Sequence, residues 1–114
     1  MSPPPSLPTP PYYAVIFSSQ ESGDTRGYRE MAKKMSELAA EQPGYLGAEA
    51  IRDSRGYGIT VSYWQDEAAI RAWKGMAAHL LAQKLGKTRW YRHYTLRVAR
   101  VERAYRGPEP DEDG

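Results

Sequence analysis

Residues 54–64 read "SRGYGITVSYW", and the strand inside this stretch decides what fold the rest can take. A Ser-Arg-Gly turn leads into Tyr57, and Ile59, Thr60, Val61, Tyr63 and Trp64 follow, a β-branched and aromatic run that predicts a strand over 57–64. Successive side chains alternate across a strand, so Ile59, Val61 and Tyr63 share one face and Thr60 and Trp64 the other. Both faces therefore carry apolar groups. Immediately upstream, "YLGAEAIR" (45–52) reads as a second strand, and "DSRG" between the two makes an antiparallel hairpin.

Working outward, "YYAVIFSS" (12–19) predicts a first strand, and "ESGDTRG" is a turn in which Asp24 or Thr25 can cap a helix. That helix is marked by Tyr28, Met31, Ala32, Met35, Leu38 and Ala39, spaced by three and four, and it stops at Pro43-Gly44. Asp66 can cap a second helix through Ile70 and Trp73. Gly75 weakens it, and "MAAHLLAQKL" carries helical character to a stop at Gly86. "KTRWYRHY" reads as a short helical turn and "YTLRVARVERAY" (94–105) as a long basic final strand. The order is β-α-β-β-α-β, an α+β chain of the ferredoxin-like kind with both helices on one side of an antiparallel sheet. The other side needs cover, which a symmetric dimer would supply.

Length allows one domain, over residues 12–106. Residues 1–11 are too rich in proline for a helix or inner strand, and 107–114 carry four acids and no apolar side chain; both are expected to be disordered. The formal net charge of +2 hides an asymmetry: without Glu109, Asp111, Glu112 and Asp113, 16 basic residues face 10 acidic ones. From Lys84 to Arg106 there are eight Lys or Arg and one acid, Glu102. Such a run is compatible with an anionic ligand or nucleic acid, but a solvated strand and loop face is the favoured reading. The absence of Cys excludes disulfides, thiolate metal sites and a cysteine nucleophile. With no apolar run of spanning length and no signal-like start, no membrane association and a cytoplasmic location are expected.

Arg55-Gly56-Tyr57-Gly58 satisfies the opening of the RNP1 pattern that marks base-stacking strands. The pattern then asks for F-V-x-F/Y, where the chain has Ile59, Thr60, Val61 and Ser62. Tyr63 comes one residue late, and a one-residue slip sends a side chain to the opposite face. Tyr57 alone fits, so a nucleic-acid partner is disfavoured.

A different likeness covers nearly the whole folded region. "YYAVIFSS", "QPGYLGAE" after the first helix, "SYWQDEAAIRAWK" with His79 beyond it, and "WYRHYTLRVARVERAY" together resemble the antibiotic biosynthesis monooxygenase superfamily. The resemblance implies ferredoxin-like subunits paired through their sheets into a dimeric α+β barrel. It also implies oxidation of phenolic compounds to quinones without metal or flavin, with haem degradation among other members. The ligand would sit between sheet and helices, where Trp64, Trp73 and His79 match aromatic or histidine positions.

On that footing His79 is the candidate catalytic base, with Trp64, Trp73, Gln83, Trp90, Tyr94 and Arg97 as candidate ligand-binding residues. For Trp73 the favoured reading is a core anchor packed against the sheet. Trp90, Tyr91 and Tyr94 would cover a pocket mouth or close the barrel, and Arg97 and Arg100 would hold a phenolate or pair across a dimer. His93 carries less weight. Six residues of regular helix turn a side chain through about 600°, leaving Trp73 and His79 about 120° apart, so they converge only if Gly75 breaks or bends the helix. The chain has no Asn, which the haem-degrading and quinone-forming relatives both use; Gln20 or Gln83 are the available amides. Haem is thereby disfavoured, and two separated His without a carboxylate cluster make no metal site. The expectation is a homodimer that binds a small aromatic molecule and oxidises it with O₂ without a cofactor; a dimeric binding or stress-related protein without turnover is the alternative.

Overall fold

A computed structural model of the chain describes residues 7–23, 27–84 and 90–107, with the backbone alone for 80–84. The elements run β1 (Tyr12–Glu21), α1 (Tyr28–Ala40), β2 (Tyr45–Arg52), β3 (Tyr57–Trp64), α2 (Glu67–Lys84) and β4 (Tyr91–Val101). The strands form one antiparallel sheet in the order β2-β3-β1-β4, the ferredoxin-like arrangement expected from the sequence. The expected disordered ends and the Asp24 and Thr25 caps fall wholly or largely outside the described residues.

Local chemistry explains most of the boundaries. Asp66 Oδ1 accepts the Ala69 amide at 2.8 Å and so caps α2. At the start of α1 the capping position is Gly27, in the left-handed region at φ 77°. Gln42 Nε2 donates to the Leu38 carbonyl at 3.1 Å and closes the other end of α1. In the hairpin, Asp53 Oδ1 takes the amides of Arg55 (2.9 Å) and Tyr57 (3.0 Å), while Gly56 supplies φ 88°. The RNP1-like residues are thus turn chemistry on the way into β3.

Two expectations are corrected. The short helical turn over 87–94 does not hold for its described residues: Tyr91 to Tyr94 already belong to β4, because β1 runs on to Glu21 and offers them partners. Nor does Gly75 interrupt α2, which is continuous from Glu67 to Lys84.

Register assigns the faces. Tyr13, Val15, Phe17 and Ser19 lie beside Trp64, Ser62, Thr60 and Gly58 on the helix side. Under the helices Trp64 (0% exposed) packs with Val15, Ala39 and Ile70, bordered by Tyr13, Tyr45, Ala69 and Trp73. The opposite side carries Ile16, Ile59, Val61 and Tyr63, with Ile51 76% exposed. There Tyr63 donates to Glu49 Oε2 at 2.6 Å; burial first and then this bond push its hydroxyl up to about 12. Tyr57 shares that face with Tyr63, contrary to the sequence argument that set them apart. Six residues of strand still separate the rings by about 20 Å, too far for neighbouring bases.

Candidate functional site

At the end of β2 the Arg52 side chain crosses the helix side of the sheet over Gly58. A Cβ on Gly58 would lie 2.6 Å from Arg52 Cζ, so only glycine leaves room. Both Nη atoms of the guanidinium donate twice, and Nε faces a carboxylate. Nε faces the Glu21 carboxylate at 3.4 Å, and Nη1 donates to the Gly56 and Ser19 carbonyls. Nη2 donates to Ser19 Oγ at 2.7 Å and to the Tyr28 hydroxyl at 3.2 Å. Ser19 is fully buried, and its hydroxyl is satisfied through this contact. Arg52 therefore pins β2, the β2–β3 turn, β1 and the first residue of α1 to one another.

Tyr28 passes the contact on. Its hydroxyl lies 3.4 Å from that of Tyr91, and the two rings meet edge to face at 5.7 Å. Tyr91 reaches this side through a bulge: Glu21 pairs with Tyr91 and Gln20 with His93, so Arg92 is an extra residue. Without it Tyr91 and Tyr94, three apart, would face opposite ways. With it their rings stand 6.1 Å apart and both touch Phe17, at 5.3 and 5.4 Å. Trp90, buried, meets Tyr28 edge-on at 5.8 Å. Burial, and then the bond to Tyr28, raise the Tyr91 hydroxyl well above its ordinary value, so it remains a neutral phenol.

Beyond this cluster the helix side of β1 and β4 forms a floor of Phe17, Leu96 and Val98 that the helices leave partly open. Tyr94 is 62% exposed and Val98 45%. At the far end stand Trp64 and Trp73, stacked at 6.2 Å, with Trp64 Nε1 donating to Ser62 Oγ at 2.8 Å. The result is an aromatic surface with a hydroxyl-bearing, arginine-supported end.

The predicted residues distribute unevenly around it. Trp64 and Trp73 come together, in the core wall; Trp90 and Tyr94 join the tyrosine cluster. Arg97 pairs with Ile16 and lies on the other side of the sheet. His79 is exposed on α2, and because the helix is continuous, it does not converge with Trp73. The Gln83 side chain lies outside the described residues. Sequence reading missed Arg52, Ser19 and Tyr28 as one group, and Tyr91 as its partner. The Gly at 58 opposite an Arg at the end of the hairpin was the available signal. Among the described residues no three His, Cys, Asp or Glu gather to hold a metal ion, and no described helix is long and apolar enough to cross a membrane.

Comparison with known proteins places this geometry in context. Residues 11–85 match the family described as antibiotic biosynthesis monooxygenase. The chain is 51% identical over 96 residues to the uncharacterized protein YqjZ of Bacillus subtilis, covering 84% of each. It is 29% identical over 102 residues to the jasmonate monooxygenase ABM of Pyricularia oryzae, covering 85% of this chain and 46%, about half, of the fungal protein. Among solved structures it is similar to SnoaB, a cofactor-independent oxygenase from Streptomyces nogalater. The TM-score is 0.62 at 15% identity, over 88% of this chain and 100% of that one; at that identity the likeness is one of fold.

Proposed function

The chain belongs to the antibiotic biosynthesis monooxygenase family, and from that premise we propose that it binds a small planar phenolic or quinonoid compound on its aromatic floor and oxidises it with O₂ without a cofactor. The observation that carries this reading is the partly open surface of Phe17, Tyr94, Leu96 and Val98 beside the tyrosine pair, where a dry core would have closed it. Aromatic side chains at that surface suit a flat ring, and the hydroxyls beside it suit the oxygen of a phenol.

The chemistry asks little of the protein. A phenol with a CH₂ group in conjugation loses its proton, with His79 as the proposed acceptor, and its anion passes one electron to O₂. Superoxide and the resulting radical join at the carbon to form a hydroperoxide. Loss of water then leaves a carbonyl, so one oxygen atom of O₂ enters the product and the other leaves as water. The site contributes shape, exclusion of water and a place for the proton. Oxygen uptake with a panel of dihydroxy-aromatics that carry such a CH₂ group, followed by mass spectrometry under ¹⁸O₂, should show one labelled oxygen in the product. His79→Ala should slow that uptake by at least about 100-fold. Undiminished uptake in the variant takes His79 out of the mechanism.

Binding without turnover is the second reading, and the internal pairing of the cluster favours it: Glu21 is engaged by Arg52, and Tyr91 holds its proton, so neither serves as a base. Ligand retention with no product mass would decide for it. In either reading two copies join through their open sheet faces, covering Ile51, Ile59, Val61 and Tyr63. Sedimentation equilibrium should return the mass of two chains; the mass of one would remove the dimer.

A further inference from the structure

The hydrogen count of the tyrosine cluster leaves one donor over. Arg52 brings only N–H groups to Tyr28, so the Tyr28 oxygen accepts there. Tyr28 and Tyr91 hold two hydroxyl hydrogens between them and share one contact, at 3.4 Å, in which Tyr91 donates to Tyr28, a direction that rotation of the two hydroxyls reverses. One O–H must therefore point elsewhere, and no further contact of either hydroxyl with a described residue takes it. Tyr91, with its ring against Phe17 and Tyr94, stands on the floor side of the pair, whereas Tyr28 stands between Arg52 and Trp90.

We propose that Tyr91 is the oxygen anchor of the ligand site, donating its O–H to a carbonyl or phenolate oxygen of an aromatic ligand seated on Phe17, Tyr94 and Leu96. With the ligand seated, the Tyr91 hydroxyl turns from Tyr28 to the ligand and the spare Tyr28 O–H turns onto Tyr91, so that Arg52 donates to Tyr28 and Tyr28 to Tyr91, a one-way chain of hydrogen bonds ending at the ligand. Each link polarises the next, so the charge of Arg52 reaches the ligand oxygen although the guanidinium, its Nη donors used and its Nε facing Glu21, does not touch it. Tyr91 is the contacting residue, and Tyr28 and Arg52 position and polarise it. The chain favours an oxygen that carries negative charge, which narrows the ligand class to enolisable ketones, hydroxyquinones and acidic phenols. This inference rests on the floor being the binding surface.

The probe is 2-hydroxy-1,4-naphthoquinone, with naphthalene as its oxygen-free counterpart, and binding is read by quenching of tryptophan fluorescence in the full chain. The wild type should bind the hydroxyquinone and lower its apparent pKa relative to free solution, the shift being read in its visible absorbance. Tyr91→Phe should weaken the hydroxyquinone about tenfold, the worth of one hydrogen bond to a charged acceptor, and leave naphthalene binding unchanged. Tyr28→Phe should weaken it less while reversing part of the pKa shift. Because the links act in series, the double variant should be no weaker than Tyr91→Phe alone. Both variants keep their rings, and unchanged thermal unfolding confirms that the packing survives. Equal losses for both probes, or no loss in Tyr91→Phe, would overturn the anchor while leaving the binding surface intact. Failure of the wild type to bind either probe would overturn both.

Discussion

Replacing Trp64 with alanine should destabilise the protein by about 3–5 kcal/mol, the usual cost of removing a buried indole. Trp64 has no exposed surface, and it is the largest member of a buried cluster drawn from three other elements: Val15 on β1, Ala39 on α1 and Ile70 on α2. Its ring is also stacked on Trp73 and met edge-on by Tyr45 at 5.5 Å. The indole N–H is satisfied by Ser62, so the variant loses a hydrogen bond as well as volume. A domain of this size has about 5–15 kcal/mol to lose, so urea unfolding should shift to a far lower midpoint at fixed protein concentration. Trp64→Phe should retain more of the stability. A loss below about 1 kcal/mol in the alanine variant would mean that the cavity collapses, and that Trp64 is not the keystone of the core.

Arg52→Met should cost about 2–3 kcal/mol, less than Trp64→Ala but with a wider reach. Methionine keeps an apolar stem over Gly58 yet supplies no donor. The buried Ser19 hydroxyl then loses its partner, Glu21 loses its ion pair, and Tyr28 is no longer held from the sheet side. Partial exposure of the pair, with side chains 22% and 24% accessible, keeps the ion-pair share small, so most of the loss comes from the buried hydroxyl and carbonyls. Chemical unfolding checks the magnitude. Hydrogen exchange checks the place: amides of β1 near Ser19 and of the Asp53–Gly56 turn should exchange faster, while those around Ile70 should not. Uniform acceleration through the whole chain would show that Arg52 acts on global stability alone.

Much of the architecture was legible because its signals are local. The apolar spacing of α1 is carried by Met31 and Ala39, buried, and Met35 and Leu38, half-buried, with the expected Ala32 left exposed. Asp66 reads as a cap from the sequence and caps in the structure. The two-sided character of 57–64 reappears as Trp64 beneath the helices and Val61 and Tyr63 on the open face. Boundaries went astray where pairing outweighed propensity, as at Tyr91–Tyr94, whose aromatic and basic cluster gives no strand alternation of its own until β1 supplies a partner edge. The site was legible only in part. Trp90 and Tyr94, expected at a ligand site, both stand against the tyrosine cluster, whereas Arg97 was assigned by type and falls behind the sheet.

The order of strands and helices, their single layer of helices and the family to which the chain belongs are properties of the sequence by itself. They follow from periodicity, caps and turn residues within short windows, and from likeness over most of the chain. What only the tertiary structure decided is how Arg52 comes to join Ser19, Glu21, Gly56 and Tyr28, and how one extra residue in β4 turns Tyr91 toward them. Five donors fixed in a plane must find acceptors across three strands and a helix. A bulge changes faces without changing composition. Neither is determined until distant segments meet, because both depend on register between strands that no local pattern specifies.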